Sequence, residues 1–175
     1  MHHYYHDFEV YVDLWGQVII GDLLGKRLGN TLGSINLNHM PLFPLNTDGV
    51  DLALKDFEVA RVKVTNFDDA VVVKPSHPGN AWVTCSEDAY IHDIEVWYGV
   101  GMSIGTVAPS DDPRCVNNVT FRNVTFHHPF KSVYIKTNPG DTTSMLPGSG
   151  GSITNILYED LKIRNPIWYN IYVGP

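Results

Sequence analysis

A six-position pattern of apolar, any, polar, apolar, any, apolar residues recurs four times along the chain. It reads Val59-Ala60-Arg61-Val62-Lys63-Val64, Ile91-His92-Asp93-Ile94-Glu95-Val96, Phe121-Arg122-Asn123-Val124-Thr125-Phe126 and Tyr158-Glu159-Asp160-Leu161-Lys162-Ile163. The starts at 59, 91, 121 and 158 are separated by 32, 30 and 37 residues. After a turn, each unit is followed by a second apolar run: Ala70-Val71-Val72-Val73, Gly101-Met102-Ser103-Ile104, Ser132-Val133-Tyr134-Ile135 and Asn170-Ile171-Tyr172-Val173. Alternation with period two marks strands with one inward and one outward face. Val50-Asp51-Leu52, 21 residues before Val71-Val72-Val73, supplies an earlier partner for the second series. Phe8-Glu9-Val10-Tyr11-Val12 is a further strand candidate.

The connections between these runs are short and rich in Asn, Asp, Gly and Pro, with no amphipathic helical pattern. Two strands per repeat with no room for a crossover helix argue against an α/β sheet. A repeat that returns like residues in register predicts an all-β solenoid, a parallel β-helix whose coils stack ~4.8 Å apart. The alternative is a sandwich of hairpins. No domain boundary is visible, so residues 1–175 read as one domain. Residues 15–40, rich in Gly and Leu, read as an insertion or distorted coil, and residues 138–152, rich in Gly, Pro and Ser, as a flexible loop. An open end coil exposes apolar surface and unpaired strand edges. The chain begins near a strand and stops inside the fourth repeat, so truncation at one or both ends is expected.

Composition supports this picture. Of the 175 residues, 43% are hydrophobic and 11% aromatic, which allows a sizeable core and excludes disorder as the main state. The 15 glycines and 11 prolines, with only 18% charged residues, lean all-β. A net charge of −7 argues against nucleic acid or an anionic membrane as partner. No apolar run approaches the ~18 residues of a membrane span. The two cysteines, Cys85 and Cys115, leave open one disulfide or a pair of buried thiols. The first residues carry no basic region followed by an apolar stretch, so no signal peptide is visible.

Three carboxylates stand out by their place in the repeat. Asp48 lies two residues before Val50 and Asp69 two before Val71, so both occupy one position on successive coils, 21 residues apart. They are expected to stack ~5 Å apart, with Asp68 projecting beside them. Crowded like charges raise at least one pKa. A site holding one carboxyl protonated and another ionised suits general acid/base hydrolysis. The competing reading is a set of solvated turn aspartates.

Asn46-Thr47-Asp48-Gly49, Asp68-Asp69, Gly99-Val100-Gly101-Met102-Ser103-Ile104-Gly105 and Tyr134-Ile135-Lys136 resemble, in that order, the motifs of the polygalacturonases of glycoside hydrolase family 28. The resemblance covers residues 41–175. It implies a right-handed parallel β-helix that hydrolyses galacturonan, a pectin-like polysaccharide, with inversion and without cofactor or metal. It implies Asp68 as general acid, Asp48 and Asp69 as the pair that holds and activates water, and Asn46 as the group orienting Asp48. Lys136 would bind the substrate carboxylate as a point charge. An inverting acid and base are usually ~6.5–9.5 Å apart. A monomeric protein acting outside the cell or in the cell wall is also implied.

Two positions depart from the family pattern. Val100 stands where the family has His, and Tyr134 where it has a carboxylate-binding Arg. Valine relays no proton; tyrosine offers one hydrogen bond and a ring but no charge. Weakened galacturonate recognition, a different glycan, or a catalytically impaired carbohydrate-binding β-helix are the alternatives this opens. His92, His127 and His128 are candidates to replace the missing His, with a structural role favoured for His92. Lys74, Lys131 and Lys136 are the local cations for a polyanion. Tyr98, next to the Gly99-Val100-Gly101 turn, is the best aromatic candidate for stacking on sugar.

Gly101-Met102-Ser103-Ile104-Gly105 matches the nucleophile-elbow pattern, but no helix follows, so Ser103 reads as a strand residue. Asn118-Val119-Thr120 and Asn123-Val124-Thr125 are sequons, with Asn118 the better acceptor.

Overall fold

The computed structural model describes residues 47–75, 85–108, 114–137 and 150–175. The expected strand at Phe8–Val12 and the segment 15–40 lie outside the described residues, as does most of the expected loop at 138–152, whose last two residues open a strand. Two parallel sheets carry the chain. The first contains β1 (Val50–Leu52), β4 (Asp69–Val73), β6 (Gly101–Val107), β8 (Lys131–Thr137) and β10 (Tyr169–Gly174), in that order. The second runs from β2 (Lys55–Ala60) and β3 (Lys63–Asn66), which both pair with β5 (Cys85–Tyr98), on to β7 (Arg114–His127) and β9 (Gly151–Arg164). Every neighbouring pair is parallel. The chain alternates between the sheets once per coil, so the fold is a parallel β-helix, and the hairpin alternative fails.

Registers follow the repeat. Val50 pairs with Val71, Val71 with Met102 and Met102 with Val133. In the second sheet Val59, Ile91, Phe121 and Tyr158 form one continuous ladder. The inward residues of these ladders are the core: Val64, Val71, Val73, Ile91, Val96, Met102, Ile104, Phe121 and Phe126 are fully buried. Phe121 and Tyr158 stack face to face with centroids 4.7 Å apart. Apolar side chains stacked one coil above another bury each other along the narrow interior, which is why the apolar slots repeat.

One difference from the expected elements is instructive. The strand units β5, β7 and β9 are each 14 residues long rather than six. They stay in one ladder because left-handed residues bend them into corners. Arg61, Asp93, Asn123 and Asp160, the polar slot of every repeat, all have positive φ between 51° and 58°. A second corner is built by Asp56, Asp88, Asn118 and Asn155, and a third by Tyr98, His128 and Asn165. Asp and Asn tolerate this region better than other side chains. The corner shifts the inward-facing alternation by one residue, so apolar slots fall at 59, 62 and 64 rather than at 59, 61 and 63.

Corner side chains also tie coil to coil: Asn118 Nδ2 donates to Asp88 Oδ1 at 2.7 Å, and Asn123 Nδ2 donates to Asp93 Oδ1. Both sequon asparagines are therefore exposed corner residues donating to an aspartate one coil away, and nothing in their settings favours Asn118 as acceptor. Cys85 and Cys115 share a register position on β5 and β7 and form a disulfide.

Candidate active site

The three expected carboxylates lie at the start of the first sheet's strands, and close backbone approach at its first two coils brings them together. Gly49 N–H donates to Asp69 O at 2.8 Å. A Cβ on Gly49 would lie 2.4 Å from Ala70 O, so only glycine lets these coils meet there. The third coil places Gly101 opposite Asp69, with φ +89°; a Cβ there would lie 2.2 Å from Ser132 O. The backbone therefore crowds in at Gly101, and the side chain that reaches Asp69 from that coil is Ser103, two residues further along β6.

Asn66 fixes the two acidic turns relative to each other. Its side chain is fully buried. Its Nδ2 donates to Thr47 O at 2.9 Å and Asp69 O at 2.8 Å, one bond to each turn. Thr47 Oγ1 in turn accepts from Phe67 N–H at 3.1 Å. Asp68 Oδ1 accepts from Asp69 N–H at 2.9 Å, and Val100 N–H donates to Asp68 O at 2.8 Å.

These contacts bring Asp48, Asp68 and Asp69 together: one carboxylate oxygen from each lies within 4.8 Å of the others. The expected stacking of Asp48 and Asp69 is thus present, in the register that Val50 and Val71 set. Asp69 is fully buried, whereas Asp48 and Asp68 are partly exposed, so the reading of three solvated turn aspartates fails at Asp69. Ser103 donates to Asp69 Oδ1 and Lys136 Nζ to Asp69 Oδ2, so both of its oxygens are engaged. Lys74 Nζ contacts Asp48 Oδ2 at 3.4 Å and pairs with Asp51.

Burial, and then the charge of Asp68, push the Asp48 carboxyl up to about 6. Burial also pushes Asp69 up, against the downward pull of the hydrogen bonds from Lys136 and Ser103. Crowding contributes as expected, but loss of water is the larger cause at both groups. Burial pulls the Lys74 ammonium down, and Asp51 and Asp48 more than restore it, leaving it raised. Burial and the charge of Lys136 lower Lys131.

The remaining expected residues fall as follows. Asn46 lies outside the described residues. Lys136 is on the site through Asp69. Tyr134 lies on the same sheet face, with Lys131 Nζ 3.5 Å and Lys136 Nζ 5.2 Å from its ring centroid. Tyr98 sits at a corner, stacked on Phe67, the neighbour of Asp68, at 5.5 Å. His92 belongs to the second sheet, where its ring nitrogens contact Asp93 and Glu58, each at 2.7 Å, the structural role favoured for it. His127 stacks on Trp97 at 4.1 Å and contacts Glu95. His128 lies beyond Tyr98, 6.1 Å between rings.

Asn66 and Ser103 were not legible as site residues. Their one sequence signal is a polar residue inside an otherwise apolar strand ladder. A groove of about 530 Å³ lies elsewhere, along Arg61, Lys63, Asp93, Glu95, Asn123 and His127. Its carboxylates are already engaged, Glu95 by Lys63 and Asp93 by the Asn123 amide, and both are held below their ordinary range rather than raised like those on the first sheet.

Among known proteins, the family model described as glycosyl hydrolases family 28 matches residues 30–174. A probable endopolygalacturonase C of Aspergillus aculeatus is 31% identical over 129 residues, 73% of this chain and 29% of the relative. A probable endo-xylogalacturonan hydrolase A of Aspergillus flavus is 28% identical over 155 residues, 88% of this chain and 33% of the relative. An exopolygalacturonase of Platanus acerifolia is 24% identical over 122 residues, 69% of this chain and 28% of the relative. The chain thus spans about a third of the length of these curated relatives. No solved structure matches it significantly. A repeat wound into parallel coils, the ordered acidic motifs on one sheet face and a family match over most of the chain lead to one conclusion: this chain belongs to glycosyl hydrolases family 28.

Proposed function

We propose that this chain carries the catalytic wall of a glycoside hydrolase that cleaves a pectin-like galacturonan, with Asp68 as general acid and Asp48 with Asp69 holding the attacking water. The observation that carries this reading is the trio of carboxylate oxygens within 4.8 Å of one another. A point equidistant from three oxygens at that spacing lies about 2.8 Å from each, the ordinary hydrogen-bond distance of a water. The cluster is tighter than the ~6.5–9.5 Å of a usual inverting pair, which raises covalent attack by a carboxylate as the other route. Asp69 is badly placed for attack because both oxygens already accept hydrogen bonds. Asp48 is half-neutral near pH 6 and so a poor nucleophile. Attack by water, with inversion, is therefore favoured.

Below about pH 6 the cluster keeps a proton, on Asp48 in the unliganded site. At this spacing a single water can relay it to Asp68 for donation to the leaving oxygen. Lys136 serves as a point charge for the substrate carboxylate, Tyr98 and Tyr134 as sugar-contacting rings, and Asn46 as the orienter of Asp48. An extracellular or cell-wall location is supported by the Cys85–Cys115 disulfide, a bond that persists in oxidising compartments.

Reducing-sugar release from polygalacturonate by the protein and by Asp68→Asn is the test. Release that the substitution removes is expected; equal release from both, or none from either, would overturn the reading. The anomer first formed, followed by proton NMR, decides inversion against retention.

A further inference from the structure

Lys131 is a cation of the same wall. It is 8% exposed, deep for a lysine. Its Nζ lies 3.5 Å from the Tyr134 ring centroid, 4.4 Å from that of Tyr172 and 5.5 Å from that of Trp168. Among the described residues no carboxylate pairs with it, whereas Lys136 is committed to Asp69 and Lys74 to Asp51 and Asp48. Tyr134 itself lies between two ammonium groups, with Lys136 Nζ on its ring at 5.2 Å. Aromatic faces recover part of the hydration an ammonium loses on burial, but they leave its hydrogens without acceptors. Burial and the Lys136 charge weigh against the Lys131 ammonium, the charges of Asp69 and Asp68 offset them only in part, and an arriving anion would supply the rest.

We propose that Lys131, held by the rings of Tyr134, Tyr172 and Trp168, is the carboxylate-binding residue of an acidic-sugar subsite beside the catalytic trio. This rests on the proposed reading of the chain as a galacturonan hydrolase and deepens it. The positive charge absent at position 134 is supplied from three residues upstream on the same strand, with the tyrosine ring as its seat. The subsite recognises a free sugar carboxylate and gains nothing from the methyl ester, which presents no charge.

Binding of trigalacturonate and of its trimethyl ester, measured by calorimetry, tests the proposal on the full chain. Wild type should prefer the free acid. Lys131→Met should lose about tenfold or more in affinity for the acid, the range for a hydrogen bond to a charged group, and change little for the ester. Adding Tyr134→Arg to Lys131→Met should restore the preference. Equal loss for acid and ester, or no loss for either, would overturn it. A second measurement needs no variant: trigalacturonate should protect Lys131 of the wild-type protein from reductive methylation, read by mass spectrometry, and the ester should not. Labelling of Lys131 unaffected by either ligand would overturn the proposal even if Lys131→Met failed to fold. Wild type that binds the acid through Lys131 but never cleaves polygalacturonate would sink the hydrolase reading alone. Cleavage with acid binding indifferent to Lys131 would sink only this proposal.

Discussion

The two sheets use the same ladder and opposite electrostatics. On the second sheet, charges are matched one coil to the next at the surface: Lys63 with Glu95 at 3.4 Å, Arg122 with Asp160 at 3.3 Å and His92 with Glu58 at 2.7 Å. There the hydrogen bond from Asn123, followed by that from His92, holds the Asp93 carboxyl below its ordinary range. On the first sheet, Asp48 and Asp69 stand on successive coils with Asp68 beside them, and burial drives the first two upward. A repeating fold that can neutralise its charges on one wall leaves them crowded on the other. The charges named on the second sheet are paired and wet, whereas the crowded carboxylates of the first are partly dry.

The comparison can be broken most forcefully by exchanging single groups between walls. Asp68→Asn should reduce hydrolysis of polygalacturonate by roughly 10²–10⁴-fold, the usual worth of a positioned acid. Arg122→Ala, on the second sheet, should leave the rate unchanged. Asn66→Ala removes two buried hydrogen bonds between the acidic turns and should cost about 2–4 kcal/mol in a denaturant melt, with a fall in turnover as the trio loosens.

Asp48→Asn should separate function from stability. The carboxyl binds its proton more tightly in the folded chain, so it favours folding below its ordinary 3.8 and loses that contribution as pH rises to about 6. Asn should therefore abolish activity while raising stability at pH 7 by about 1–2 kcal/mol, allowing for partial exposure, and should flatten the melting temperature between pH 4 and 6. The smallest effect is expected from Lys63→Ala, at most about 0.5 kcal/mol, because Lys63 is itself exposed. Chelators should change nothing, since Lys136 and Lys74 already neutralise part of the acidic trio.

What the chain revealed before its fold was known follows the same division. The apolar slots and the 21-residue offset between Asp48 and Asp69 are local regularities, and they gave coil, register and acidic stack together. The polar slot at 61, 93, 123 and 160 was visible as a pattern, but its cause, a left-handed corner, was not. Asn66, Ser103 and the ring seat of Lys131 were hidden because each has a partner on another coil: Thr47 lies 19 residues before Asn66, Asp69 lies 34 before Ser103, and Trp168 and Tyr172 lie one coil beyond Lys131. A side chain's partner across coils depends on outward direction and bulge position, here the register shift between Asp69 and Val71, which alternation alone does not encode.

The central claim is that three carboxylates from adjacent coils act as one partly dry cluster holding a proton near neutrality. Carbon-13 NMR titration of the aspartate carboxyls, assigned by Asp48→Asn, tests it most directly. Asp48 is expected to titrate near pH 6 and Asp93 below the ordinary range. Asp48 and Asp69 both titrating as ordinary exposed aspartates would contradict it.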